Sequence, residues 1–553
     1  MNAQGQRRQF TTFGVVDDIR VLPGHAFRDA REMGQSGYYR EADFQHTFSS
    51  VAEDALELTV RSLGHLTQRG NQQDLYGPVR PPERESRVYL ATPQEVQTVL
   101  MKPMIAGERF NIGAYATLHG LYRPVTPLVL PREQMFLHGA IFASTRWGKT
   151  VTMKHLIQEF SRFDEDSPAI IVFNLKQFDM YGLETTLGDE AWDRMREWNP
   201  SVEEVWDTLK YRRSGIPSER VTYYPISRSR HGERVYSIFF DEIGPDEHGH
   251  NFMRVLIEDA DLPEASMNYL IQYLDFFKHH FTNYNEHDPQ QPGIPEVPRG
   301  REFVRLYNHT IKDTLSSFVD VLDKAQQRLG AADLVIRCSE CQEQVFIHRY
   351  SAQAIHRALA EIKRLNLFDI GNEESRIRLE ELLTRGHISV IDVVGIGSTR
   401  GTELFIRYLL HSLFQYINGE QYQRENYRGV LLFLDEAWRF FRSPRVLDEV
   451  EQISRMGAAL RMGLWLADQT IPDSEKTQAI LNNTHTIILG ALAIEPRLVK
   501  RLVPLDEKLL VALNNLSRGH AIFFHREYSR IPVPVIIPPC RCAHEDQEKR
   551  AKN

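Results

Sequence analysis

Cysteine is scarce, with four residues in a chain of 553. That excludes a disulfide framework and makes a reducing cytosol the natural setting. Long apolar runs are missing too, and none approaches the roughly 18 residues that a membrane-crossing helix requires. Residues 1–10, MNAQGQRRQF, lack the apolar centre of a secretory leader. The expected location is therefore the cytoplasm, with no membrane partner. Neither sign of charge dominates: Lys and Arg number 66, Asp and Glu 74, for a net charge of −8. This balance argues against coating nucleic acid by bulk charge. A local basic channel remains open to DNA, because phosphate contacts need only a few well-placed Lys and Arg. No internal repeat or low-complexity tract is present.

The composition itself is globular: 42% apolar, 25% charged and 10% aromatic. Whole-chain disorder, collagen and coiled coil are excluded as the main architecture. The length corresponds to about three or four domain-equivalents.

Residues 1–125 carry short β-like runs, such as Phe13-Gly14-Val15-Val16, Leu56-Glu57-Leu58-Thr59-Val60 and Arg87-Val88-Tyr89-Leu90. Pro81-Pro82 and Asn111-Ile112-Gly113 punctuate them, and a small N-terminal β-barrel fits. From 126 to 540 the texture changes. Apolar, β-branched runs at 135–143, 169–174, 388–394, 430–434, 463–467, 486–489 and 520–524 alternate with helical stretches. Runs apolar on both faces predict an α/β fold with a mostly parallel central sheet covered by helices. Residues 185–375 look different. They hold amphipathic stretches at 265–281 and 302–327 and prolines at 289, 292, 295 and 298. A mostly helical insertion with one proline-rich loop is expected there. Residues 541–553 read as a charged, frayed tail.

The strongest local signal is Ala143-Ser144-Thr145-Arg146-Trp147-Gly148-Lys149-Thr150. It follows an apolar strand and opens a helix beginning at Val151, the context that a phosphate-binding loop requires. Successive backbone N–H groups from Ser144 to Val151 would curl around a β-phosphate, helped by the positive end of the helix. Lys149 would reach the β/γ oxygens, and the Thr150 hydroxyl would bind Mg2+. ATP and Mg2+ are the expected ligands. Ala143 stands where the first Gly is usual, and Arg146 and Trp147 fill positions that are often small. Trp147 either stacks on a base or packs a neighbour.

The run 430–434 ends in Asp435-Glu436. On a buried strand both acids would emerge at the C-terminal edge, beside the phosphate loop. Asp435 suits the Mg2+ shell through water, and Glu436 suits a general base that polarises the attacking water. The run 463–467 leads to Asp468-Gln469, and Gln469 is placed to sense the γ-phosphate. Arg455 and Arg461 precede that strand, where they would reach a neighbouring subunit or merely solvate a helix face.

Taken in order, these motifs resemble the HerA-like hexameric ATPases, relatives of the FtsK DNA pumps and of type IV secretion motors. The resemblance rests on Phe110-Asn111-Ile112-Gly113, residues 143–150, Ile388-Ser389-Val390-Ile391-Asp392-Val393, Leu434-Asp435-Glu436-Ala437, the 455–469 stretch, Ile480-Leu481-Asn482-Asn483-Thr484 and Leu516-Ser517-Arg518-Gly519-His520-Ala521. It implies a RecA-like P-loop core and a homo-oligomeric ring of six acting on double-stranded DNA. It also implies an inter-subunit arginine, at Arg461 or Arg455, and a separately encoded nuclease or sirtuin-like NADase effector, as in bacterial anti-phage defence. Three departures bear on turnover rate more than on nucleotide binding. The loop reads AxTRWGKT, Asn174 replaces a strand-end Asp, and Ala458 replaces the second Arg of the family's Arg-x-Gly-Arg-Lys run. A rival reading is a nucleotide-binding scaffold with weak ATPase that organises an effector.

Cys338, Cys341, Cys540 and Cys542, with His348 and His544, are candidate zinc ligands. The second pair is CxC rather than CxxC, so free cysteines are the reading preferred. His248 and His250 read as part of a solvated loop.

Overall fold

All seven apolar runs become strands of one twelve-stranded sheet. The structure, a computed structural model, describes residues 91–228, 234–238, 262–272, 346–419 and 427–543 apart from short gaps, together with the backbone of a few further strands. In chain order the sheet strands are β1 Arg109–Thr117, β2 Gly120–Leu121, β3 Pro127–Pro131, β4 Gly139–Phe142, β5 Ala169–Asn174 and β6 Val221–Pro225. They continue with β7 Ile388–Asp392, β8 Val430–Asp435, β9 Met462–Asp468, β10 Thr486–Leu489, β11 His520–His525 and β12 Val533–Ile536. The lateral order is β2-β1-β12-β11-β10-β4-β9-β8-β5-β7-β6, with β3 on β1. Strands β6 through β10 along this order pair in parallel, and β11, β12, β1, β2 and β3 add antiparallel. One strand, β9, separates the phosphate-loop strand β4 from the acidic strand β8, which is the RecA-like arrangement.

The strands are apolar on both sides because both sides are covered. Ile171, Phe173, Leu432, Leu434, Leu464 and Leu466 face one core, with the helices Thr399–Asn418 and Pro444–Met456 above them. Their alternate neighbours Ile170, Val172, Leu431, Phe433, Trp465 and Ala467 face the other, against the helix Lys149–Phe160. Phe160 of that helix sits 5.0 Å from Trp465 and 4.8 Å, edge-on, from Phe110. Gly139 on β4 lets Trp465 lie flat against the sheet, since a Cβ there would fall 2.4 Å from the indole. The run at 135 starts as a strand later than its apolar texture suggests. Arg132–Phe136 forms a 3-10 turn that still delivers Met135 and Phe136 to the core.

Several expectations change on contact with the structure. Strand β1, which contains Phe110-Asn111-Ile112-Gly113, lies on the N-terminal side of residue 125 yet is hydrogen bonded to β12 in the large sheet. Arg541–Ala543 are no frayed tail. Cys540 and Cys542 are buried, Cys542 bridges Thr186, and the Ala543 carbonyl accepts from the buried Lys154 ammonium at 3.0 Å. Apolar side chains and an unpaired backbone edge hold this segment against the phosphate-loop helix. Further upstream, Thr11–Leu22, Ala55–Arg69 and Gln72–Tyr76 form an antiparallel three-stranded sheet. Residues 91–125 add the helix Pro93–Leu100 and the strands β1 and β2 rather than further barrel strands, and the remainder of the expected barrel lies outside the described residues. Within 185–375 the helices Asp189–Trp198, Val202–Leu209 and Arg349–Arg364 are present and residues 264–272 are helical, but the range also supplies β6 of the large sheet and the strands Leu334–Arg337 and Gln344–Ile347. The 302–327 stretch, Cys338, Cys341, His248 and His250 lie outside the described residues, apart from a short strand at Phe303–Val304. Among the described residues no cluster has the makings of a metal site of His, Cys, Asp and Glu.

His138 ties β9 to the helix beneath it. Its Nδ1 accepts from the Leu464 N–H at 3.0 Å, and its Nε2 donates to the Ser454 carbonyl at 3.0 Å. This neutral form is favoured by burial, which pushes the imidazole pKa down to about 4. As pH falls below about 6.5 the unfolded chain takes the proton first. The stability due to His138 is therefore complete above that value and is lost as pH falls towards 4. The gap in unfolding free energy between wild type and His138→Gln should narrow by about 2 kcal/mol from pH 7.5 to pH 5. Urea unfolding at the two pH values measures it, and a constant gap would contradict a buried neutral imidazole.

Candidate functional site

Parallel register brings the polar strand ends to one edge. Asp468 pairs with Phe142, Asp435 with Ala467, and Asp392 with Asn174. Each apolar run therefore stops at the same height, and the next residues face one another above the sheet.

The loop leaving β4 turns through two residues of positive φ, Arg146 at 67° and Gly148 at 118°. The helix starting at Lys149 has no side-chain cap, so its first N–H groups are left for a ligand. Thr145 and Arg146 are exposed at the loop tip, Ser144 is half-buried with its N–H on the Ala491 carbonyl at 2.7 Å, and Val151 packs beside Trp192 and Trp206. Trp147 is buried and packs within its own subunit. Its indole N–H donates to the His520 carbonyl at 2.9 Å, and its ring lies on Gly490, where a Cβ would approach to 2.3 Å. The bulky Trp is thus a brace between the loop and β10–β11.

Lys149 folds over the loop, with Nζ donating to the Ala143 carbonyl at 2.8 Å and the Ser144 carbonyl at 3.3 Å. Burial lowers its pKa, while Asp435 and Glu436 oppose that shift. The Thr150 hydroxyl donates to Asp435 Oδ2 at 3.3 Å. Burial pushes the Asp435 carboxyl up to about 6, and Lys176 acts against this. A hydroxyl and a buried carboxylate in contact are two hard oxygen donors of the kind that Mg2+ takes, so this pair fits the ion.

Glu436 has φ 55°, left-handed for a residue with a side chain. Such backbone concentrates at functional sites. Its carboxylate is almost fully enclosed by donors. Lys176 Nζ lies 2.5 Å from Oε1, the Trp438 indole N–H donates to Oε2 at 2.6 Å, and Gln469 Nε2 donates to Oε1 at 3.0 Å. Burial alone would raise its pKa, but the hydrogen bonds from Lys176 and Trp438 outweigh it and hold the group below its usual range. Gln469 completes a chain. Its Oε1 accepts from the Thr145 hydroxyl at 2.7 Å, so the phosphate loop is linked to Glu436 through one amide. Asp468 holds the backbone beneath it, with Oδ1 accepting from the backbone N–H of Gln469 at 2.5 Å, and burial pushes its own pKa to about 6.

Lys149, Thr150, Asp435, Glu436 and Gln469 thus lie at one edge of the sheet, with β9 interposed between the loop and the acidic strand. Arg455 and Arg461 do not join them. Both precede Met462, at the opposite end of β9, and seven residues at about 3.3 Å each put roughly 20 Å between that end and Gln469. Arg455 pairs with Glu451 at 2.5 Å. Arg461 stacks 4.8 Å from the Phe136 ring and pairs with Glu133 at 3.3 Å. Asn174 donates to Asp392 at 3.2 Å, a structural contact at the sheet edge. Lys176, Trp438 and Asp468 escape sequence reasoning as site residues. The one local hint is that each lies within three residues of a polar strand end.

No family model matches the sequence, and no curated protein matches it closely. Among solved structures the chain is similar to VirB4 of Thermoanaerobacter pseudethanolicus, at 13% identity over 79% of this chain and 98% of the other, with a TM-score of 0.45. The plasmid coupling protein TrwB, in complex with ADP and Mg2+, is similar at 9% identity over 80% of this chain and 97% of that one, with a TM-score of 0.42. The genome packaging NTPase B204 from Sulfolobus turreted icosahedral virus 2 is similar at 16% identity over 28% of this chain and 72% of its own, with a TM-score of 0.20.

Proposed function

We propose that this chain is the ATP-hydrolysing subunit of a ring-shaped motor acting on double-stranded DNA. The observation that carries the reading is the linked set Thr145–Gln469–Glu436 beside Lys149 and the Thr150–Asp435 pair. It supports a reading in which the loop after β4 cradles phosphate and Glu436, after β8, serves as general base, with Gln469 of the intervening strand linking the two. Lys149 would leave the loop carbonyls for the β/γ-phosphate oxygens. Glu436 would take the proton of a water whose oxygen attacks the γ-phosphorus, with ADP leaving. Gln469 would orient that water and report the phosphate to Thr145. Mg2+, held by Thr150 and Asp435, would neutralise charge on the β/γ oxygens.

The remaining parts of the reading come from the family resemblance: a ring of six, duplex DNA in its pore, a cytoplasmic setting and a nuclease or sirtuin-like NADase effector. No helix among the described residues is long and apolar enough to cross a membrane. The deciding experiment is ATPase activity of the purified chain with and without duplex DNA, together with electron microscopy of the particle. Stimulation by DNA in a ring is expected, and a monomer indifferent to DNA would end the motor reading. The scaffold alternative draws on one observation, the three donors that hold the Glu436 carboxylate. DNA-independent, very slow turnover by an intact ring would favour it.

The arginine for catalysis comes from the neighbour. Ring interfaces join unlike faces of successive subunits, so residues remote from their own site are the ones available to the next. Arg461 and Arg455, at the end of β9 away from Gln469, are the arginines proposed for this role. A guanidinium supplied in trans is worth roughly 10³–10⁵ in rate. Lys149→Ala and the Arg455→Ala/Arg461→Ala double variant should each be inactive, and mixed rings should regain part of the activity. A fully active double variant would remove these two arginines from catalysis.

A further inference from the structure

The short helix Trp438–Arg442 follows directly on Glu436. Its apolar side is anchored, with Phe440 buried and set edge-on to Phe173 at 6.0 Å. The opposite side presents Arg439 and Arg442, both exposed and three residues apart on one face. Neither forms an ion pair with a carboxylate among the described residues, whereas Arg123, Arg132, Arg196, Arg400, Arg497 and Arg501 all do. Their guanidinium groups nonetheless lie against an indole. Arg442 lies 4.3 Å from the Trp438 ring and Arg439 lies 5.5 Å from it. Stacking on an indole leaves the N–H edge of a guanidinium free to fork onto phosphate.

This pair touches two of the three donors that hold the Glu436 carboxylate. Trp438, under Arg442, donates to Oε2. Arg439 donates from Nη1 to the Leu175 carbonyl at 3.2 Å, and the next residue, Lys176, holds Oε1. We infer that Arg439 and Arg442 form a contact surface for the phosphate backbone of duplex DNA, and that Trp438 and the Leu175–Lys176 segment carry this contact to Glu436. DNA on the arginines shifts the indole and the lysine, and the carboxylate is released to water. The inference rests on the motor reading above and adds to it the surface that DNA touches and the residues that couple contact to hydrolysis.

The test uses the full chain and a labelled duplex of random sequence. Arg439→Gln/Arg442→Gln should flatten the slope of log affinity against log salt by roughly 0.9 per arginine. It should also lower the ratio of DNA-stimulated to DNA-free ATPase. Trp438→Phe keeps an aromatic face for stacking but removes the N–H, so it should retain the wild-type salt slope and lose stimulation. A double variant with wild-type slope and wild-type stimulation would overturn the surface while leaving the motor reading intact. Unchanged stimulation in Trp438→Phe would overturn the relay. A wild-type chain that neither binds nor responds to duplex DNA would sink both the motor reading and the inference. Stimulation by RNA in place of duplex DNA would overturn the choice of partner.

Discussion

Lys149→Ala should abolish ATP hydrolysis, with a loss of at least roughly 10²–10³ in kcat, the range seen when one preorganised charge-stabilising donor is removed. The physical reason is electrostatic. Lys149 is the cation that the loop itself supplies to the β/γ oxygens, and its partial burial means that little water screens it. Its present partners, the Ala143 and Ser144 carbonyls, belong to the loop, so an ammonium is already held where phosphate would arrive. Truncation leaves those carbonyls without a donor, and a modest loss of stability accompanies the loss of activity. Binding is therefore measured separately, as the rise in melting temperature on adding ATP and Mg2+. That rise should shrink together with kcat. Hydrolysis at the wild-type rate would show that the phosphate loop is misassigned.

Glu436→Gln should separate binding from chemistry. General-base catalysis contributes roughly 10²–10⁴ in rate, and an amide cannot take the proton. Its oxygen still accepts from Trp438 or Gln469, so the local shape survives, while the ion pair to Lys176 is lost. The thermal shift with ATP should persist as kcat falls by that factor. A variant with full kcat would reduce Glu436 to a structural acid. The outcome is informative in a second way. In this structure Lys176, Trp438 and Gln469 hold the carboxylate as an anion below its usual pKa range, which makes it a weak base until a donor withdraws. Lys176 has Asp179 as a second partner at 3.6 Å, so the donor with the shortest contact also has somewhere to go.

The sheet was legible because its information is local. Runs such as 169–173 and 430–434 are apolar at every position, and only a strand covered on both faces asks for that. The phosphate loop was legible for the same reason, since Gly148, Lys149 and Thr150 act as neighbours along the chain. Reading failed where neighbours in space are distant in sequence. Arg541–Ala543 looked like a polar tail, and their buried partners lie on the helix Lys149–Phe160 and near Thr185. Trp147 looked misplaced in a phosphate loop until Gly490 and His520 supplied a slot of matching size.

The sequence by itself determined which side chains stand at the ends of strands and at the start of the phosphate-loop helix, because hydrophobic period and adjacency are properties of short windows. Tertiary structure alone decided which of those ends meet. The order that inserts β9 between β4 and β8, and the register that levels Phe142 with Asp468 and Asp435 with Ala467, put Gln469 between Thr145 and Glu436. The same order brought Lys176 to Glu436 and left Arg455 and Arg461 at the far edge. A strand's own residues specify that it is buried on two faces; its partners are chosen by the packing of the whole sheet, which no window of sequence contains.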